Sequence, residues 1–345
     1  MTRLAVVGNP ANRRVSLFLA AAGRPAPRVY AWRDILTGGP VPGPDETVRV
    51  DSPGEDAEVN RLLRGAKTPA RPGEIVGGAA AYAGLRTALD RVAAGGGRLL
   101  NPPADILVMN DKRRCHARLS EAGVPVPPAL PPVQGYADLR ATMATAGWRR
   151  VFVKPAHGSS ASGVLALAVA GPRITAVTSV EVGADDRLYN NLRVRRYDDE
   201  PLIARIVDRL APDGLHVERW FPKAGLDDRV LDLRVVVIAG EPSHLVVRTS
   251  RTPLTNLHLG NARGDVPAVR AAAGPAAWAA AMATCAEVAR CFPGSLQVGV
   301  DLMFGATWRQ HAVAEVNAFG DLLPGVLVDG LDTYGAQLKA LTCAR

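Results

Sequence analysis

Aromatic residues make up only 5% of this 345-residue chain. So few stacking platforms argue against a protein that binds nucleic-acid bases. Cysteine is also scarce: Cys115, Cys285, Cys291 and Cys343 form no CxxC pair and no ligand-like cluster with histidine. A disulfide framework in a chain this long normally uses more, so a reducing compartment, the cytoplasm, is expected. No run of about 18 apolar residues is present to span a bilayer. The nearest stretch, 271–289, is broken by Gly274 and Pro275 and carries Glu287, so it reads as a packing helix and no membrane contact is expected. Gly8 stands alone without GxGxxG, and Gly65-Ala66-Lys67-Thr68 lacks the glycine that precedes a Walker lysine. These absences disfavour a dinucleotide-binding dehydrogenase and a P-loop NTPase. The six histidines show no HExxH spacing, and no Ser/His/Asp or Cys/His nucleophile stands out.

What is present is an ordinary globular composition, 48% hydrophobic and 21% charged, with 41 Lys+Arg against 33 Asp+Glu and a formal charge of +8. The length predicts two or three units with sizeable cores. Arg13-Arg14 ahead of the apolar run 15–22 superficially resembles a twin-arginine export signal. It follows Leu4-Ala5-Val6-Val7-Gly8-Asn9-Pro10, however, which reads as a first buried strand and its turn, so these residues are expected in the fold. Strand-like 4–7 and 29–32 alternate with helix-like 15–22 and 79–94, with a loop predicted over 37–56. An open α/β sheet is the natural solution. From Asn110 the pattern changes. A helix capped by Asn110-Asp111 runs to 122, strands are predicted at 151–155, 164–169 and 174–182, and an amphipathic helix at 199–210. Two hairpins follow, 231–238 with 244–248 and 298–304 with 312–318.

Three constellations carry chemistry. The strand 151–155 delivers Lys154 into His157-Gly158-Ser159-Ser160-Ala161-Ser162-Gly163, a small-residue loop whose backbone N–H groups suit an anion such as a triphosphate. The plain alternative is a flexible hairpin tip with a solvated lysine. Next, a turn between Gly305 and Gln310 places Asp301 opposite Glu315 to within a residue, and Asn317 shares the face of Glu315. Three oxygen donors without thiolate or imidazole form a hard-cation site, suited to Mg²⁺ bridging phosphates; the alternative is a polar hairpin face. Third, Asp232, Arg234 and Arg248 lie on a hairpin that runs into Thr255-Asn256. Their guanidinium groups suit a transferring phosphoryl group or a substrate carboxylate, against the alternative of cross-strand pairs with Asp232 or Glu241.

The order of these motifs resembles the ATP-grasp ligases, nearest the branch of ribosomal protein S6 glutamate ligase and glutathione synthetase. It rests on Asp111-Lys112, Gly-Val-Pro-Val-Pro at 123–127, Lys154 with its loop, Glu218-Arg219-Trp220, Asp232-Leu233-Arg234, Asn256-Leu257-His258, Gly299-Val300-Asp301 and Glu315-Val316-Asn317. The resemblance implies an α/β (α+β) chain with an N-terminal open-sheet domain, 1–109, a lid lobe, 110–217, and a C-terminal lobe, 218–345. It implies that Lys112, Lys154, Gly158, Ser159, Ser160 and Gly163 hold the ATP phosphates, that Glu218, Arg219 and Trp220 form the hinge beside the adenine, and that Asp232 contacts the nucleotide. Arg234, Arg248 and Asn256 would act on the transferred phosphoryl or acyl phosphate, and Asp301, Glu315 and Asn317 would hold Mg²⁺, with Mn²⁺ as a substitute. The implied activity is an ATP-dependent carboxylate–amine ligase that takes small-molecule or peptide substrates; the oligomeric state, homo-oligomer or monomer, is not specified. Asp301→Asn and Glu315→Gln are both expected to abolish Mg²⁺-dependent turnover with the fold intact. Other readings are a small-molecule kinase on the same scaffold and a non-catalytic nucleotide-binding subunit. The pattern departs from its relatives in the hinge, Val-Glu-Arg-Trp, in the extra residues 221–230, and in lacking an arginine two before Asn256.

Overall fold

The opening apolar run forms a parallel strand, Arg3–Gly8, with Ala5, Val6 and Val7 fully buried. Continuous burial, in place of alternation, is what a strand covered on both faces requires. In the computed structural model, which describes residues 3–158 and 161–343, four parallel strands make the first sheet. Their order is Arg28–Ala31, Arg3–Gly8, Glu46–Val50 and Arg98–Leu99. Helix Arg13–Ala22, capped by Asn12, packs Val15 and Phe18 against Val6 on one face. Helix Gly78–Ala94 packs Leu85, Leu89 and Val92 with Ala5, Val7 and Val48 on the other. The stretch 37–56 is therefore not all loop: Glu46–Val50 is a central strand. Its apolar pattern is interrupted by Arg49, which is only 3% exposed because it is ion-paired with Asp51 and Asp321.

The second sheet is antiparallel and five-stranded, in the order Leu188–Tyr197, Arg173–Val182, Leu165–Ala170, Arg150–Pro155 and Leu215–Arg219. Helices Tyr136–Thr145 and Glu200–Leu210 cover one face, burying Leu139, Met143, Ile203, Ile206 and Val207 against Val151, Val153, Leu165 and Val217. The opposite face carries Phe152, Val164 and Ala166. On the outer strand, Arg195 and Arg196 are ion-paired with Glu181 and Asp198.

After residues 220–224 the third sheet begins, ordered Ala262–Gly264, Glu241–Ser250, Arg229–Ile238, Gln297–Phe304 and His311–Asn317, with Gly225–Leu226 pairing beside Arg229–Ile238. The alanine-rich run lies within helix Val266–Arg290, which is kinked at Gly274 (φ 76°) before Pro275 and buries Trp278, Ala281, Cys285 and Val288. Among the described residues no helix is long and apolar enough to cross a membrane.

Candidate active site

Alternation along Arg150–Pro155 sends Val151 and Val153 to the helices, and Phe152 and Lys154 to the opposite face. There Lys154 is ion-paired with Glu218 and donates to the Ala314 carbonyl at 3.4 Å, across the gap to the third sheet. Glu218 also accepts from His216 at 3.3 Å, since His216 stands opposite Lys154 in the antiparallel register. Lys154 is 9% exposed, so it is not a solvated hairpin-tip lysine. Lys112 opens helix Lys112–Glu121, whose first turn is capped by the Asp111 carboxylate accepting from Arg113 and Arg114. Its ammonium lies 3.1 Å from Glu315 and donates to Gly158 O at 2.8 Å.

The third sheet supplies the facing wall. Its register sets Asp232 opposite Arg248, Arg234 opposite Asp301, and Asp301 opposite Glu315, with a bulge directly after Asp301. Arg248 donates to Asp232 at 2.7 Å and lies 3.2 Å from Asp301. Arg234 clasps Asp301 with two N–H groups, the Nη2–Oδ2 contact being 3.1 Å. Cross-strand pairing with Asp232 therefore does engage Arg248. Neither guanidinium is free, and each holds a carboxylate in place.

The cleft between the sheets encloses about 760 Å³, part of it open to solvent. Of the residues singled out in the sequence, it brings together Lys112, Lys154, Gly158, Glu218, Asp232, Arg248, Asn256, Asp301 and Glu315. Ser159 and Ser160 lie outside the described residues. Arg234 and Asn317 stand behind this wall, Asn317 donating to Gly299 O at 3.5 Å. Arg219 turns an exposed side chain away and Trp220 packs on Phe152 and Arg150. Gly163 sits at the base of its loop, where a Cβ would come within 2.6 Å of Pro155 Cγ. Of the expected hinge residues Glu218 lines the cleft and Arg219 and Trp220 do not; Phe221, just after them, does.

Burial opposes ionisation of Glu218, but Lys154 and then His216 outweigh it and hold its carboxyl down to about 2. Asp232 and Asp301 are likewise below the usual carboxylate range, their burial outweighed by Arg248 and Lys223 for the first and by Arg234 and Arg248 for the second. Carboxyls depressed by folding contribute stability above their unfolded pKa and lose it as pH falls through the folded value. For Glu218 that window runs from 4.5 down to about 2. Denaturant midpoints should hold steady down to about pH 5 and fall steeply below it, whereas Glu218→Gln should be less stable at neutral pH with a shallower acid slope. Superimposable profiles of the two proteins would remove the charge pair from the account.

Sequence reasoning missed Lys223. Its ammonium reaches Asp232 at 3.1 Å and Thr255 Oγ1 at 2.8 Å, largely buried, with its pKa lowered by burial against the opposing pull of Asp232. Thr255 in turn donates to Asp232. The extra residues after the hinge, 221–230, thus supply part of the wall through Phe221 and Lys223. A signal was available. Only five of the 41 basic residues are lysine, and three of them, Lys112, Lys154 and Lys223, converge here. A compact ammonium with three donors fits where arginine's planar fork does not. The cleft wall carries four cations, Lys112, Lys154, Lys223 and Arg248, matched by Glu218, Asp232, Asp301 and Glu315.

An open α/β sheet followed by two antiparallel sheets that face each other over a lysine- and carboxylate-lined cleft is the ATP-grasp fold, and solved structures of that fold match the whole chain. D-cycloserine synthetase DcsG is 20% identical, with a TM-score of 0.61 over 98% of this chain and 99% of its own. The ATP-grasp ligase PsnB, complexed with a minimal precursor, is 18% identical, with a TM-score of 0.56 over 100% and 99%. The macrocyclase MdnC from Microcystis aeruginosa, bound to precursor peptide MdnA, is 12% identical, with a TM-score of 0.55 over 99% and 100%. At these identities the likeness is one of fold. No protein-family profile and no curated protein sequence matches the chain.

Proposed function

We propose that the chain is an ATP- and Mg²⁺-dependent carboxylate–amine ligase that forms an amide through an acyl phosphate. The observation that carries this reading is the convergence, from different elements, of Lys112 and Lys154 with the acidic pair Asp301 and Glu315 on one cleft. The donor set fits the ligands: ammonium groups for phosphate oxygens, and carboxylates without sulfur or imidazole for a hard cation. ATP supplies the phosphoryl group that activates a carboxylate, and Mg²⁺ the charge that offsets its oxygens. In this reading Lys112 and Lys154 hold phosphate oxygens, exchanging their present partners Glu315 and Glu218 for them. Asp301 and Glu315 take the cation, with Asn317 behind them. Phe152, Val164, Phe221 and Met303 form the apolar wall for the base. Arg248, kept in place by Asp232 and Asp301, and Asn256 border the space where the carboxylate is activated. The protein's contribution is positioning and charge neutralisation, and closure of the lid lobe, 110–217, over the cleft excludes water that would hydrolyse the activated acyl group.

PsnB and MdnC were solved with precursor peptides and DcsG is a D-cycloserine synthetase, so both peptides and small molecules belong in the substrate screen. ADP and phosphate release should require a carboxylate and an amine together, with the amide found by mass spectrometry. ADP release that leaves a stable phosphorylated product would favour a kinase. Nucleotide binding without turnover on any pool would favour a binding subunit.

A further inference from the structure

The turn that follows Glu315 and Asn317 is gripped from two sides. On one side, Gly320 lies directly against Gly299, two residues before Asp301. A Cβ on Gly320 would stand 2.8 Å from Gly299 Cα, and one on Gly299 2.6 Å from Gly320 Cα, so neither position has room for a side chain. Gly320 O accepts at 3.2 Å from Arg234, the guanidinium that clasps Asp301. Gln297, on the Asp301 strand, donates to Ala318 O at 2.6 Å.

On the other side, the contacts come from the N-terminal sheet and its first helix. Arg14 donates to Phe319 O at 2.7 Å and lies 3.4 Å from Asp321. Arg49 is 2.8 Å from Asp321 and donates to Gln337 at 2.6 Å, while Gln337 donates to Asp321 at 2.9 Å. Asp321 is fully buried. A buried ionic cluster is often no more stable than apolar packing of the same volume, and in some proteins such groups serve to define a geometry. Here the geometry defined is that of the turn 318–321.

We propose that Arg14 and Arg49 are positioning residues for the cation and phosphate site. By fixing this turn they fix, through Gly320, the orientation of Arg234 and the approach of the Asp301 strand. The N-terminal unit thereby sets the affinity of a cleft that neither arginine lines. The inference rests on the ligase reading only in taking Asp301 to face a metal–nucleotide ligand.

The test is calorimetric titration of the full chain with a non-hydrolysable ATP analogue at saturating Mg²⁺, alongside Mn²⁺ binding followed by electron paramagnetic resonance. Arg14 is partly exposed, so Arg14→Ala is expected to fold. It should weaken analogue and Mn²⁺ binding by about two- to thirty-fold, the range for residues that act through a contact network. Arg14→Lys, which keeps a charged donor, should recover part of the loss. Arg13→Ala, exposed on the same helix, should match the wild type. A purely structural role would lower the melting temperature and leave the affinities alone. Equal affinities in Arg14→Ala and wild type would overturn the relay by itself. Absence of binding by the wild type would overturn the relay together with the reading it rests on.

Discussion

Glu315→Gln is expected to reduce Mg²⁺-dependent ATP turnover by about a hundred-fold or more with little change in stability, because it removes an anionic cation ligand from a preorganised site. Glu315 is partly exposed and its ion-pair partner, Lys112, retains the Gly158 carbonyl when the charge is lost. Asp301→Asn should be as inactive but for a compound reason, and here the expectation of an intact fold needs correction. Asp301 is 5% exposed and held by both Arg234 and Arg248. An amide there leaves two guanidinium groups short of a counter-charge, and breaking a buried pair in this way costs about 3–5 kcal/mol. ADP release at saturating Mg²⁺ and the thermal midpoint, measured on both variants, separate the two effects. Near-normal turnover by Glu315→Gln would remove the cation from this strand.

Lys154→Ala should weaken ATP binding about ten- to hundred-fold, the loss of one charge-assisted hydrogen bond. It should also destabilise the chain, since Glu218 would remain buried with only His216 beside it. The double variant Lys154→Met/Glu218→Gln removes both charges. It should regain much of the stability and none of the affinity, a split that neither loss of packing nor general unfolding reproduces. Calorimetry and denaturant titration on the single and double variants read the two quantities independently. Unchanged ATP affinity in Lys154→Ala would leave Lys154 a structural partner of Glu218.

Much of this site was legible in the sequence because its residues sit on hairpins, where spacing alone sets the register. Asp301 falls opposite Glu315 once the turn is placed between Gly305 and Gln310, and the observed pairing agrees. Asp111 as the cap that presents Lys112 was legible for the same local reason. What could not be read is which side chains pair across elements distant in the chain. Arg234 looks in sequence like a charge aimed into a cleft, yet it stands behind the wall and engages Asp301, 67 positions away, from there. Arg49 hid the strand Glu46–Val50 by breaking its apolar run, because Asp321, which makes its burial tolerable, lies in another sheet's turn. At the hinge, backbone geometry turned Arg219 outward and brought Phe221 and Lys223 in. No local pattern marks that choice, and only the rarity of lysine pointed to Lys223.

The most direct measurement is a crystal structure of the chain grown with Mg²⁺ and a non-hydrolysable ATP analogue. The account predicts the triphosphate between Lys112 and Lys154, at least one metal ion on Asp301 and Glu315, and the base against Phe152, Phe221 and Met303. A nucleotide bound elsewhere, or one in this cleft whose metal touches neither carboxylate, would contradict it.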